Sequence, residues 1–162
     1  MRVLTFTFYC SVPPAIVLDA AHDFTDRRGD VFPAVEAEHF DVHSIGDDHA
    51  DVTEGTGTGI GTNWERCRYD WSTPGSVAAV VTDSNVYAPG SSWTITATTA
   101  PQGSRVDMTW TRQFTHATRG RLFRTAFRIA GRPIFGRYAR QIIGNLEALW
   151  GQEQRCERSG RT

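Results

Sequence analysis

Between residues 36 and 114, apolar and polar side chains alternate in about six short runs, most of them closed by a glycine- or proline-bearing turn. Ser92–Thr99 shows the pattern most clearly: Trp93, Ile95 and Ala97 alternate with Ser92, Thr94, Thr96 and Thr98. A strand of period two has one apolar and one polar face, so runs joined by short turns predict an antiparallel meander with one dry side. Gly46-Asp47-Asp48, Thr73-Pro74-Gly75, Pro89-Gly90 and Pro101–Ser104 supply turns. Residues 2–10, with Leu4, Phe6 and Phe8 in phase, add a first strand.

The dry face needs a cover. After Phe114 the period changes: Phe123, Phe127, Ala130, Ile134, Tyr138, Ile142, Leu146 and Leu149 recur at helical spacing. Gly131 and Pro133 lie inside this pattern, where a kink is expected. Earlier, Pro13-Pro14 opens a short helix reaching His22, with Ile16, Val17, Ala20 and Ala21 on its apolar face. A second short helix or turn is expected over Asp23–Arg28, ending at Gly29. The order predicts an α+β fold: a curved antiparallel sheet of about seven strands wrapped around a long C-terminal helix, with two short helices after the first strand. Residues 1–150 form a single domain on this reading, and 151–162 a polar tail that frays.

A chain of 162 residues can bury such a core without staples. Its three cysteines, Cys10, Cys67 and Cys156, are odd in number and lack metal-ligand spacing, which points to a reducing, cytoplasmic setting. No run is long and apolar enough to span a bilayer. The N-terminal apolar run is broken by Thr5, Thr7 and Ser11 and stopped at Pro13, so it reads as a strand rather than a cleaved signal. The glycine-rich stretch 55–61 has neither a Gly-Lys-Ser/Thr ending nor Gly-x-Gly-x-x-Gly spacing, so it is no nucleotide fingerprint; it reads as a flexible turn at a cavity rim.

Three stretches carry a resemblance to a known superfamily. Val12–Phe24, with its Pro13-Pro14 opening and Asp23-Phe24 close, resembles the first-helix signature of the START-related proteins, which include polyketide cyclases/dehydrases, lipid-transfer proteins and birch-pollen-allergen-like (SRPBCC) proteins. Val31–Val35 resembles the approach to the second strand in that group, and Ile60–Trp64 its Gly-Thr-aromatic strand start. The tryptophan usual after the second helix is missing; Phe32 stands near its place. The resemblance implies a helix-grip fold with a deep cavity between sheet and long helix. It also implies cargo such as lipids, quinones or aromatic polyketides, cyclised or dehydrated there by some members. It transfers no catalytic residue.

The inward faces offer Phe40, Tyr69, Trp71, Trp93, Trp110, Phe123, Phe127 and Tyr138 as walls for an apolar or aromatic ligand. Arg112 lies in phase with Val106, Met108, Trp110 and Phe114, on the face otherwise given to the core. A guanidinium there needs a partner, and Asp83, in phase with Val77, Ala79 and Val81, or Glu54, in phase with Val52, would serve. In a carrier, Arg112 or Tyr69 would fix the ligand's polar end. In a cyclase or dehydratase, Arg112 would stabilise an enolate while Tyr69 or Asp83 moved protons. His39, Asp41 and His43 share strand spacing, with His49 and Asp51 close by, which suits a metal but equally a solvated strand face; no metal or other cofactor is expected.

From Arg119 to Arg140 there are seven arginines and no acid. Arg121, Arg124, Arg128 and Arg132 recur at helical spacing and would suit an anionic membrane, RNA or a protein partner, or else form the solvated back of the helix beside acidic strands. The sequence therefore supports, in order, a carrier of a hydrophobic or aromatic small molecule, an enzyme using the same cavity, and an interaction module. No DNA partner is implied, and the chain would act as a monomer or homodimer.

Overall fold

The computed structural model describes residues 1–59 and 61–159; Ile60 of the Ile60–Trp64 stretch and the end of the tail, 160–162, lie outside the described residues. Seven strands form one antiparallel sheet: β1 (Arg2–Cys10), β2 (Asp41–Ile45), β3 (His49–Thr58), β4 (Gly61–Asp70), β5 (Ser76–Ser84), β6 (Ser92–Ala100) and β7 (Gly103–Arg112). The spatial order is β1-β7-β6-β5-β4-β3-β2, so hairpins link β2 through β7 in sequence and β1 closes onto β7. Two short helices, α1 (Pro14–Ala21) and α2 (Arg28–Val31), follow β1, and α3 (Thr118–Ser159) ends the described chain. This is the helix-grip α+β architecture.

The pleat explains the core. Along β7, Val106, Met108, Trp110 and Arg112 are buried while the residues between them are less so. In β1, Leu4 stands opposite Trp110 and Phe6 opposite Met108, so both strands present one phase to the interior. Ile142, Ile143 and Leu146 of α3 join that cluster with Val17 and Ala21 of α1. Helix and sheet come close at Gly136, where a Cβ would stand 3.0 Å from the Phe6 ring.

Four expectations change. The second helix is α2, one turn later than Asp23–Arg28 and running through Gly29, because Thr25 and Asp23 close a side-chain turn first: Thr25 N–H donates to Asp23 Oδ1 and Arg27 N–H to Thr25 Oγ1. The glycine-rich stretch is mostly strand. Gly55 and Gly57 lie within β3, paired with Trp64 and Thr62. Their bareness lets the segment before β2 lie directly on the strand: a Cβ on Gly55 would meet His39 at 3.1 Å, and Gly57 N–H donates to Glu36 Oε2 at 2.9 Å.

Third, a bulge in the β4–β5 ladder moves register between Arg66 and Cys67, which face Asp83 and Val81 respectively. One extra residue flips the phase, so Ser84 is buried and Asp83 is exposed. Fourth, α3 continues past Gly151 to Ser159, where the sequence pattern ends it at the polar tail. Arg27 of the loop before α2 pairs with Glu153 of this last stretch at 3.2 Å. Pro133 lies inside α3. No helix among the described residues is long and apolar enough to cross a membrane.

Candidate ligand pocket

Between the concave sheet and α3 lies a pocket of ≈ 270 Å³. Its walls come from β3 and β4 (Glu54–Thr56, Asn63–Glu65), β6 (Trp93, Ile95), β7 (Trp110, Arg112) and α3 (Ile134, Phe135, Tyr138, Ile142), with Phe32 and Tyr87 from loops. The aromatic walls pack on one another: Trp110 meets Phe135 edge to face at 5.4 Å between ring centres, and Phe32 lies tilted against Trp93 at 6.1 Å.

The polar floor arises from one register. Glu54 and Glu65 are direct cross-strand partners in the β3–β4 hairpin, and both line the pocket. Two like charges so placed repel. Each is neutralised by an arginine from a different element. Arg28 of α2, only 2% exposed, donates from Nε to Glu54 Oε1 at 2.7 Å and from a terminal nitrogen to Ala21 O at 2.9 Å. Its other terminal nitrogen donates to the Tyr69 hydroxyl at 3.1 Å, and that hydroxyl donates to Glu54 Oε2 at 2.6 Å. The Phe32 ring caps the guanidinium at 4.0 Å.

Arg112 of β7, 4% exposed, donates both terminal nitrogens to Glu65, at 2.9 and 3.3 Å. It lies 4.2 Å over the Tyr87 ring. Its Nε is buried and has no partner among the described residues. Burial pulls the Arg112 pKa down, but the charge of Glu65, aided by Tyr87, more than reverses this, so Arg112 stands above the ordinary arginine value. Arg28 behaves alike, with burial opposed by Glu54 and then Tyr69. Burial, reinforced by the Glu54 charge, pushes the Tyr69 and Tyr138 hydroxyls above the usual tyrosine range; burial does the same to Tyr87.

Of the residues singled out from sequence, Trp93, Trp110, Arg112 and Tyr138 meet in this pocket. Glu54 is there too, but it pairs with Arg28, and Arg112 takes Glu65 rather than Glu54 or Asp83. Tyr69 lies just beneath, 0% exposed and spent on the Arg28–Glu54 pair. The other aromatics stand elsewhere. Trp71 stacks on His22 at 4.8 Å, and Phe127 packs on Phe114 and Phe135 behind the wall. Phe40 packs on the edge of the core, and Phe123 is half-buried near the start of α3; neither lines the pocket.

The histidines do not gather on one strand face. His39 belongs to a 3-10 turn (Ala37–His39) before β2, beside Glu36 and Glu38, whereas His43 hydrogen-bonds Thr53 and His49 bonds Asp48. Sequence reasoning missed Arg28, Glu65, Tyr87 and Phe135. Glu65 carried a readable signal, since it lies in phase with Cys67 and Tyr69.

No family model matches the sequence, and a search of curated proteins gives no significant match. Solved structures do match. The aromatase/cyclase Zhui from a Streptomyces species superposes with a TM-score of 0.72 at 15% identity, covering 90% of this chain and 93% of its own. A Thermus thermophilus protein gives 0.72 at 14% identity, over 91% of this chain and 99% of its own. A START superfamily protein from Mycobacterium smegmatis gives 0.69 at 6% identity, over 94% and 99%. At these identities the likeness speaks for the fold alone: this chain has the helix-grip fold that these solved structures share.

Proposed function

We propose that the chain binds and carries a compact, apolar, aromatic small molecule in the pocket between sheet and α3. The observation that carries this reading is an aromatic-walled concavity between sheet and helix, lined by an Arg112 whose buried Nε has no partner among the described residues. Small-molecule sites are mostly apolar with a few polar anchors, and they span about 300–1,000 Å³. At ≈ 270 Å³ the pocket suits a few fused rings better than a long acyl chain. Trp93 and Trp110 supply flat walls, and Arg112 and Tyr138 the polar end. The unpaired cysteines, two of them buried, fit a reducing compartment such as the cytoplasm.

Native mass spectrometry of the purified protein, followed by solvent extraction, tests this directly. A co-purifying aromatic compound in the native chain, lost in Ala34→Phe, is the expected result, because Ala34 lines the pocket from a half-buried loop. No uptake of any aromatic from a two- to three-ring panel would refute it.

Catalysis in the same pocket is a second reading, favoured by the Tyr138 hydroxyl, which has no hydrogen-bond partner among the described residues and feels both ion pairs. Two aromatase/cyclases among the structurally similar proteins belong to di-domain enzymes. Against it, both carboxylates are tied to arginines, no histidine lines the pocket, and burial holds the tyrosines protonated. Turnover of a poly-ketone substrate, abolished by Tyr138→Phe, would favour the enzyme.

The arginine face of α3 is a docking site on this reading. None of the seven arginines from Arg119 to Arg140 forms an ion pair with a carboxylate among the described residues. Leu122, Ile129 and Ile134 are 58%, 82% and 56% exposed among them. Ile134 also lines the pocket, so this face and the pocket share a residue. Basic residues flanking exposed aliphatics suit an anionic lipid surface. Sedimentation with phosphatidylserine vesicles should capture the protein at low salt and lose it in Arg121→Gln/Arg124→Gln/Arg128→Gln. Binding to RNA but not to vesicles would replace this reading.

A further inference from the structure

The pocket's charges cancel internally. Arg28 answers Glu54, and Arg112 answers Glu65 with both terminal nitrogens. The arginine fork that would ordinarily receive a ligand carboxylate is therefore already filled. What remains unpaired among the described residues is a set of groups able to donate. Arg112 Nε–H is buried and unpartnered. The hydroxyls of Tyr87 and Tyr138 and the indole N–H groups of Trp93 and Trp110, all residues of the lining, make no hydrogen bond to any described residue. The acceptors in the wall, by contrast, are engaged: Glu54 takes bonds from Arg28 and Tyr69, and Glu65 from Arg112.

Building on the binding reading above, we propose that the pocket selects an uncharged, flat ligand bearing a carbonyl-type acceptor, which receives Arg112 Nε–H, and that it turns carboxylates away. A neutral ketone oxygen satisfies the orphaned donor and adds no charge. A carboxylate would bring a third negative group beside Glu54 and Glu65, and the one arginine of the described lining already has its fork on Glu65. A plain hydrocarbon would fill the walls and leave Nε–H unsatisfied. Glu65 is then a specificity-determining residue: by occupying the fork, it converts an anion site into a site for a neutral acceptor.

A matched series separates these cases: 2-acetylnaphthalene, 2-ethylnaphthalene and 2-naphthoate, titrated against the native protein by quenching of tryptophan fluorescence and checked by calorimetry. The ketone should bind at least about tenfold more tightly than either of the others. In Glu65→Gln the freed fork should raise naphthoate affinity by about tenfold or more while the ketone gains nothing. If naphthoate binds the native protein as well as the ketone does, the selectivity is wrong although the pocket still binds aromatics. If the ethyl compound matches the ketone, the Nε anchor is wrong. Should none of the three bind, the pocket reading falls as well. The native-protein series decides the matter even where Glu65→Gln does not fold.

Discussion

A carboxylate such as Glu54 survives burial only because every oxygen has a donor. Glu54 is 8% exposed and accepts from Arg28 and Tyr69, and Arg28 is itself held between a carbonyl and an aromatic ring. Removing one partner of such a pair costs about 3–5 kcal/mol, whereas replacing both by apolar groups is often neutral. Arg28→Met should therefore lower the urea midpoint sharply, and Arg28→Met/Glu54→Leu should recover most of the loss. The tyrosines give a pH prediction. Tyr69, Tyr87 and Tyr138 are raised above the ordinary 10.0 in the fold, so the unfolded chain releases their protons first. Their contribution to stability is complete below pH 10 and is lost as the pH climbs beyond it. Absorbance at the tyrosinate band should rise for these residues together with loss of near-ultraviolet dichroism; reversible ionisation in a still-folded protein would contradict the burial described here.

At the scale of elements, α3 is held by its buried face and carries one proline in its interior. Pro133 is exposed and removes a backbone donor from the helix interior. Pro133→Ala should stabilise the protein, by up to about 3 kcal/mol, with a higher thermal midpoint as the readout. Gly136→Val should do the opposite, since the new side chain would enter the Phe6 ring. The strands and this helix were legible because period two and period 3.6 are written in the order of side chains. The departures came from tertiary partners. Gly55 and Gly57 look like loop residues until Glu36 and His39 are laid on them, and the bulge that turns Asp83 outward depends on how β4 meets β5. For the site, period two found Trp93, Trp110 and Arg112. It could not pair Arg112 with Glu65, 47 residues away, nor bring Arg28 from α2 to Glu54. Aromatic content alone did not separate wall from core, so Trp71 and Phe127 were read into a pocket they do not line.

For the molecule as a whole, its thiols report on how it opens. Cys10 and Cys67 are buried and Cys156 is exposed. Burial raises the pKa of both buried thiols, Cys67 the more strongly, so neither offers a thiolate at neutral pH. A thiol reagent should label Cys156 at once and reach Cys67 only at the rate of global unfolding. Fast labelling of Cys67 would mean that the sheet opens locally at its centre. The sheet's outer boundary is managed differently: β2 is exposed along its whole length, interrupted between Val42 and Ser44, and carries Asp41 and His43. An irregular, charged edge of that kind discourages a second sheet from adding to it.

The facing of Glu54 and Glu65 across one hairpin also has a historical consequence. A lineage that loses Arg28 or Arg112 alone leaves one glutamate without its base, facing the other acid across the hairpin. Descendants of this chain should therefore change these four positions in company, acid with its own base, and a relative with one arginine replaced should show a neutral residue at the matching glutamate. Each ion pair would be inherited or discarded as a unit, so the polarity of the pocket should shift among relatives in whole steps rather than by gradual drift.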